Sequence, residues 1–376
     1  MRKIIFSIVA SISLVSFAVQ AQTIVIKNTT GMNRKVEMVE LSTSKLKANF
    51  KSKTYILKND KNEEQAYQLL YNDKKEVETI IFQADVKANS SATYSLSEGK
   101  PAIVKAKTSA RFVPERKDDF AWENDLAAYR MYGPALAKEN ASNGVDFWAK
   151  RTSELVVDKR YNDELKNKKS YHIDFGDGLD FYKVAHTLGC GGISPYSSDS
   201  LWVGNQFSKY KVLENGPLRS VFVLSYDSIK VGKNYYKEEI TITANAGSLL
   251  NKAIVKYIGA PQKMELAGGI FLHDSKGNLK LNAKNGTAAY AEEAISEAKL
   301  PTGRNYVGVF IPSKINAVSK KGTHALVLSD YKVGDNFTYY FGGGWSKWIH
   351  STDDEWFKAV KSFSEAISKP LQVTVK

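Results

Sequence analysis

Val36-Glu37-Met38-Val39-Glu40-Leu41 and Thr79-Ile80-Ile81-Phe82 decide the fold class. In the first stretch charged residues interrupt apolar ones at short intervals, as on a strand with one face on a core. The second is an apolar, β-branched run of strand length. Thr23-Ile24-Val25-Ile26 upstream and Ala92 to Ser95 downstream read the same way, with Asn, Gly, Lys and Ser turns between them. Further out, Val221–Tyr226, Glu239–Ala244, Ala253–Tyr257, Gly268–Leu272, Val307–Ile311 and Ala325–Leu328 repeat the signal. Short strands dominate, and no regular alternation with long helices appears, which argues against a doubly wound parallel sheet. The expected architecture is mainly β: a large antiparallel sandwich forming a single domain over residues 22–376. One helix is expected near the C-terminus. Trp356, Val360, Phe363 and Ile367 fall on one helical face after the acidic first turn Asp353-Asp354-Glu355, and Pro370 stops it.

Composition supports a folded chain. Of 376 residues 43 % are apolar and 25 % charged, so there is enough apolar surface to offset chain entropy. The single Cys190 excludes an intrachain disulfide framework and any multi-thiolate metal site. Met1-Arg2-Lys3, the apolar run Ile4–Val19 and the small residues of Val19-Gln20-Ala21 read as a signal peptide over residues 1–21, cleaved before Gln22. A membrane anchor is the competing reading; the run is short, its serines weaken it, and no second long apolar stretch follows. The expected location is periplasmic or secreted, with no integral membrane segment after cleavage. The net charge of +13 suggests a polyanionic partner. For an exported protein an acidic carbohydrate fits better than nucleic acid, and scattered solvating lysines are the plainer explanation. No oligomeric state is implied.

Residues 114–192 differ from the rest, being dense in aromatics, acids and glycine. Such groups suit a concave site in which rings stack on sugar faces and a few polar groups fix orientation. There is no phosphate-binding loop, no H-E-x-x-H pair and no G-x-S-x-G elbow. Cys190, set among glycines, reads as a packed residue rather than a nucleophile. Glu115, Asp118, Asp119, Glu123 and Asp125 are the oxygen donors a divalent cation takes, although their spacing matches no known loop. No other cofactor is called for.

Several motifs carry a resemblance. They are P-E-R-K-D-D-F-A-W-E-N-D at Pro114–Asp125, A-Y-R-M-Y-G-P-A-L at Ala128–Leu136, G-V-D-F-W at Gly144–Trp148, and Y-H-I-D-F-G-D-G-L-D-F-Y-K-V at Tyr171–Val184. T-L-G-C-G-G at Thr187–Gly192, N-G-P-L-R-S at Asn215–Ser220, and G-G-G-W-S-K before the Asp354-Glu355-Trp356 helix also match. Together they resemble a family of secreted proteins from polysaccharide-degrading bacteria known as a domain of unknown function. The resemblance implies a galactose-mutarotase-like β-supersandwich with its ligand on a concave sheet face. It further implies the chemistry of a member described as an oligosaccharide dehydratase of ulvan degradation. That chemistry is a lyase reaction: water leaves a saturated terminal uronic acid, giving a 4,5-unsaturated sugar.

Such an elimination needs a cation for the uronate carboxylate, a base for the C5 proton and an acid for the departing 4-hydroxyl. Arg116 and Arg130 are candidates for the first, because a guanidinium grips a carboxylate with two donors. His172 is the candidate base, and Tyr132 or Tyr182 the acid. If Tyr171–Asp174 is extended, Asp174 shares a face with His172 and orients it. Trp122 and Trp345, with Trp348 beside it, are candidate sugar platforms, and Glu123 a substrate-binding carboxylate. Structural alternatives stand beside these: a plain strand histidine at His172, a salt bridge at Arg130, and core packing for the tryptophans. Two other function classes stay open. A glycoside hydrolase would draw a carboxylate pair from Glu115, Glu123, Asp125, Asp174 and Asp180, and a non-catalytic glycan binder would need only the aromatic surface.

Overall fold

In a computed structural model, residues 21–139, 142–259, 263–273 and 276–376 are described; the basic start and apolar run read as a signal lie outside the described residues. Among the described residues two α-helices and five antiparallel sheets make up the architecture, a mainly β sandwich with a helix near the C-terminus.

The first 80 or so described residues form a small sandwich of their own. Strands Gln22–Lys27, Ser91–Glu98, Tyr55–Asn59 and Glu64–Gln65 make one sheet, and Arg34–Ser42, Val77–Val86 and Tyr67–Tyr71 make the other. Ile24, Ile26, Val39, Leu41, Ile80 and Phe82 point between them, so the stretches that first suggested strands supply this core. The outer edge of the first sheet is closed by Gln372–Val375, paired antiparallel with Gln22–Lys27.

Eight strands form the largest sheet, in the order Lys209–Asn215, Arg219–Val231, Asn234–Asn245, Asn251–Ile258, Phe337–Trp345, Pro301–Phe310, Thr287–Ile295 and Asn278–Asn282. Its inner side packs on two five-stranded sheets. One is built around Cys190–Ser197, Lys263–Phe271 and His324–Lys332. The other runs Gly178–Leu179, Asp146–Lys150, Ala128–Met131, Asp119–Asn124 and Thr108–Val113. Side chains of all three sheets, among them Phe120, Phe147, Ile193, Phe222, Val307 and Phe341, share the main core. The two largest clusters of buried apolar side chains lie one in each sandwich.

Strand alternation explains the helix's position. Val307 and Val309 face the main core, while Tyr306 and Phe310 face outward and are covered by helix Asp353–Ser368 through Trp356 and Val360. Thr352 caps this helix, its side chain accepting from Glu355 N while Glu355 reaches back to the cap backbone. A second helix, Val157–Asn167, lies within the dense segment and has no side-chain cap of its own. Its first N–H groups, at Val156 and Val157, donate instead to the Glu123 carboxylate on a distant strand.

Candidate functional site

The sheet built on Asp119–Asn124, Ala128–Met131 and Asp146–Lys150 is buried on both faces. Alternation sends Phe120, Trp122, Tyr129 and Phe147 into the main core. The residues between them, Asp119, Glu123, Arg130, Asp146, Trp148 and Lys150, face the helix Val157–Asn167 and the loop that follows it. A polar, charged layer thus lies between sheet and helix. It needs internal partners, because a buried charge without one is costly.

Arg130 is the centre of that layer. Its Nη2 lies 2.6 Å from Asp146 Oδ2 and 3.1 Å from Asp180 Oδ2, and its Nη1 lies 3.6 Å from Asp119 Oδ2. Nη1 also donates to the Tyr171 hydroxyl at 3.3 Å, and the guanidinium sits over the rings of Trp148, Tyr132 and Tyr171 at 5.0–5.6 Å. Burial pushes Asp119 up to about 6, against the opposing pull of Arg130 and Arg116. Burial likewise raises Asp146 and raises Asp180 strongly, the latter also through the neighbouring Asp146 charge. Lys150 and Glu123 form a second buried pair in the layer at 2.9 Å.

Arg116, His172 and Tyr132 reach this centre from its more open side. Arg116 Nη1 lies 3.7 Å from Asp119 and is buried without a hydrogen bond. His172 is fixed by Nδ1, 2.9 Å from the carbonyl oxygen of Asp180, with the Asp180 carboxyl 3.6 Å away. A carbonyl only accepts, so Nδ1 carries the hydrogen and the neutral ring keeps its lone pair on Nε2. Nε2 points outward, where the exposed Glu297 carboxylate stands at 3.7 Å. Tyr132 is half-buried, and its phenol is held protonated by burial and by Asp146. Tyr182 is buried, its hydroxyl makes no hydrogen bond, and its ring meets His273 edge-on at 4.7 Å. Burial raises that phenol as well.

The other residues singled out from sequence are placed differently. Trp122 is 1 % exposed and Trp345 2 % exposed, both in the main core, with Nε1 bonded to Asn251 and to the Thr302 carbonyl respectively. Neither ring offers a face to a sugar. Glu123 is spent on Lys150 and the helix start. The backbone at 170–173 turns, with Ile173 N donating to Ser170 O, so His172 and Asp174 do not share a strand face. Asp174 accepts from Gly176 N and Gly178 N and pairs with Arg151, and the carboxyl beside His172 is Asp180.

The acids weighed as cation ligands do not converge. Glu115 pairs with Arg111, Asp125 accepts from Gly247 N, and Asp119 and Glu123 sit in separate buried pairs. Among the described residues, no group of three or more His, Cys, Asp or Glu is gathered for a metal ion. Cys190 is fully buried, with its thiol pushed up by burial, which suits packing and not nucleophilic attack.

Sequence reasoning missed three contributors: Asp146, Tyr171 and the exposed Phe175, whose ring stands near Lys169 on the His172 loop. All three lie inside the quoted motifs. What singles them out is which face each presents: for Asp146 that is set by the strand Asp146–Lys150, and for Tyr171 and Phe175 by the turn at 170–178.

A solved protein in glycosyl hydrolase family 38 from Enterococcus faecalis is similar with a TM-score of 0.50 at 9 % identity, covering 96 % of this chain and 48 % of that one. An α-mannosidase from Enterococcus faecalis V583 gives 0.47 at 8 % identity, covering 95 % and 46 %. The chain thus spans about half the length of these structures, and at 9 % identity the likeness to the first speaks for the sandwich fold alone. The curated protein "Uncharacterized protein P7" of Formosa agariphila is 30 % identical over 312 residues, covering 80 % of this chain and 78 % of the relative. Residues 26–373 match the family model described as "Domain of unknown function (DUF4861)", and the chain belongs to that family.

Proposed function

We propose that the protein is a carbohydrate-active lyase that dehydrates the saturated terminal uronic acid of an acidic oligosaccharide, in the periplasm or after secretion. The observation that carries this reading is the His172 Nδ1 contact to the Asp180 carbonyl, which leaves Nε2 as an outward-facing base. In the same layer stands the guanidinium of Arg116, paired with Asp119 and with 25 % of its side chain exposed. The likeness in fold to a protein titled as a family 38 glycosyl hydrolase is consistent with a sugar ligand.

In this reading Arg116 binds the uronate carboxylate and stabilises the enolate-like charge that develops on it. His172 Nε2 removes the C5 proton, and the electron pair of that C–H bond forms the C4=C5 double bond. The C4–O bond breaks toward the hydroxyl, which takes a proton from Tyr132 and leaves as water. The proton on His172 then returns to the tyrosinate. Tyr132 suits the acid role better than Tyr182, because it is half-buried and reachable while Tyr182 is enclosed. Arg130 is fully engaged by its three carboxyls, so it serves the site by holding them, and the carboxylate clamp falls to Arg116. Of the carboxylates a hydrolase would use, Glu115, Glu123, Asp125 and Asp174 each have a partner of their own, which favours elimination over hydrolysis.

Mass spectrometry on a panel of acidic oligosaccharides tests the proposal. The expected product is lighter by one water, is not shortened, and absorbs in the ultraviolet through its conjugated double bond. Two shorter saturated fragments would support hydrolysis instead. Shortening with new absorbance would mean a chain-cleaving lyase, and binding without any mass change a binding module.

A further inference from the structure

Asp146 and Asp180 come from different elements, one from the strand Asp146–Lys150 and the other from the segment after Gly178–Leu179, and they meet at one nitrogen of Arg130. Both side chains are essentially inaccessible to solvent. Arg130 also faces Asp119, which it shares with Arg116. Within ion-pair distance, Asp146 and Asp180 therefore have a single guanidinium between them. Arg160, on the covering helix, faces the same layer but gives its Nη2 to the carbonyls of Ala149 and Asp177. Around the pair also stand His172 and the hydroxyls of Tyr132, Tyr161, Tyr171 and Tyr182, while Phe147 N and Trp148 Nε1 donate to Asp146 and the Tyr182 backbone N–H donates to Asp180. Two ionised carboxylates on one guanidinium, away from water, repel each other without solvation to offset the repulsion; a single proton removes the conflict.

We propose that Asp146 and Asp180 share one proton in the free protein, and that this proton sets the pH range in which the Arg116–His172 site accepts an anionic sugar. The second half rests on the reading given under the proposed function. With the proton in place, a substrate carboxylate meets the cation of Arg116. With the proton lost, it also meets an extra negative charge 3.6 Å from the His172 ring. Anion binding therefore favours the protonated pair. The upward push that burial exerts on both carboxyls is consistent with this.

Infrared spectroscopy of the full chain, with ¹³C-labelled aspartate, tests the first half without any ligand. Near pH 8, where Asp119 is ionised, the wild type is expected to show one protonated-carboxyl band from aspartate. Asp180→Asn and Asp146→Asn should each abolish it, because the carboxyl left behind no longer shares Arg130 Nη2 with a second carboxyl and ionises. Absence of the band in the wild type overturns the proposal, as does its survival in either variant. The wild-type measurement decides even if neither variant folds. The second half is read from KM for uronate-ended oligosaccharides. Above the pair's titration, KM should rise by up to about tenfold per pH unit in the wild type and stay flat in Asp180→Asn. A flat wild-type profile overturns that half. A band without turnover on any acidic oligosaccharide would sink the dehydratase reading and leave the shared proton standing.

Discussion

Replacing Glu238 by Gln should stabilise the protein above neutral pH, and the size of the effect follows from where the side chain sits. Glu238 lies on the strand Asn234–Asn245, in register between Tyr226 and Tyr257 on its two neighbours, and is 1 % exposed inside the main sandwich. Among the described residues no cation pairs with it, and Oε2 has no hydrogen-bond partner. Burial pushes its carboxyl from the ordinary 4.5 up to about 7, only partly opposed by Tyr257. A carboxyl raised on folding stabilises the native state where it is protonated and costs stability once it ionises. In the wild type, stability should thus fall as pH rises from about 4.5 through 7, by about 3 kcal/mol at 1.36 kcal/mol per unit. Gln keeps the shape and an acceptor oxygen but carries no charge to bury. Relative to wild type, Glu238→Gln should gain about 3 kcal/mol near pH 8 and under about 1 kcal/mol near pH 5. Urea denaturation of both proteins at the two pH values measures this difference, and the subtraction cancels other titrating groups. An equal gap at both pH values, or a variant less stable near pH 8, would refute the reasoning.

Other expectations follow from the site and the helix. His172→Ala should lower dehydration by about 10²–10⁴ while thermal unfolding stays near wild type, since the ring is partly exposed; normal turnover would remove it as the base. Arg116→Ala should cost about 10²–10³ in kcat/KM on uronate-ended substrates, with Arg116→Lys restoring part of it. Glu297→Gln removes an exposed carboxylate from in front of Nε2 and should lower KM for anionic oligosaccharides, by up to about fivefold. Trp356→Ala should destabilise by about 3–5 kcal/mol in denaturant titrations. Its ring is fully buried, stacks on Tyr306 at 5.6 Å and donates to the Val307 carbonyl.

Local pattern was legible wherever a strand has one face on a core and wherever a helix carries its own signals. Val221–Tyr226 lies within the observed strand Arg219–Val231, and the Trp356 helix begins at its acidic turn as expected. The helix Val157–Asn167 escaped notice because its apolar positions are few and its cap is Glu123, more than thirty residues upstream. The small sandwich was hidden for a related reason: its last strand pairs Ile24 with Val375, and no local pattern announces such a partner. In the site, the dense motifs held the residues that converge, Arg116, Arg130 and His172. The tryptophans could not be sorted in the same way. In Asp119–Asn124 both faces are buried, so alternation does not tell which of Trp122 and Glu123 meets a ligand, and neither faces solvent. The residue beside His172 depended on a turn at 170–178, not on strand spacing, which is why Asp180 takes the place expected of Asp174.

The pairing of Gln22–Lys27 with Gln372–Val375 also bears on how the chain reaches this shape. During synthesis the first sheet can assemble four of its strands early, but its outer edge stays unpaired until some 345 residues later, when the closing strand emerges. An open edge held for that long is a template for other chains, and closure across such a separation is slow. Deleting residues 371–376 should therefore reduce yield through aggregation more than it lowers the melting temperature of the large sandwich, whose core does not include them. The strand acts on the history of the molecule more than on its final energy.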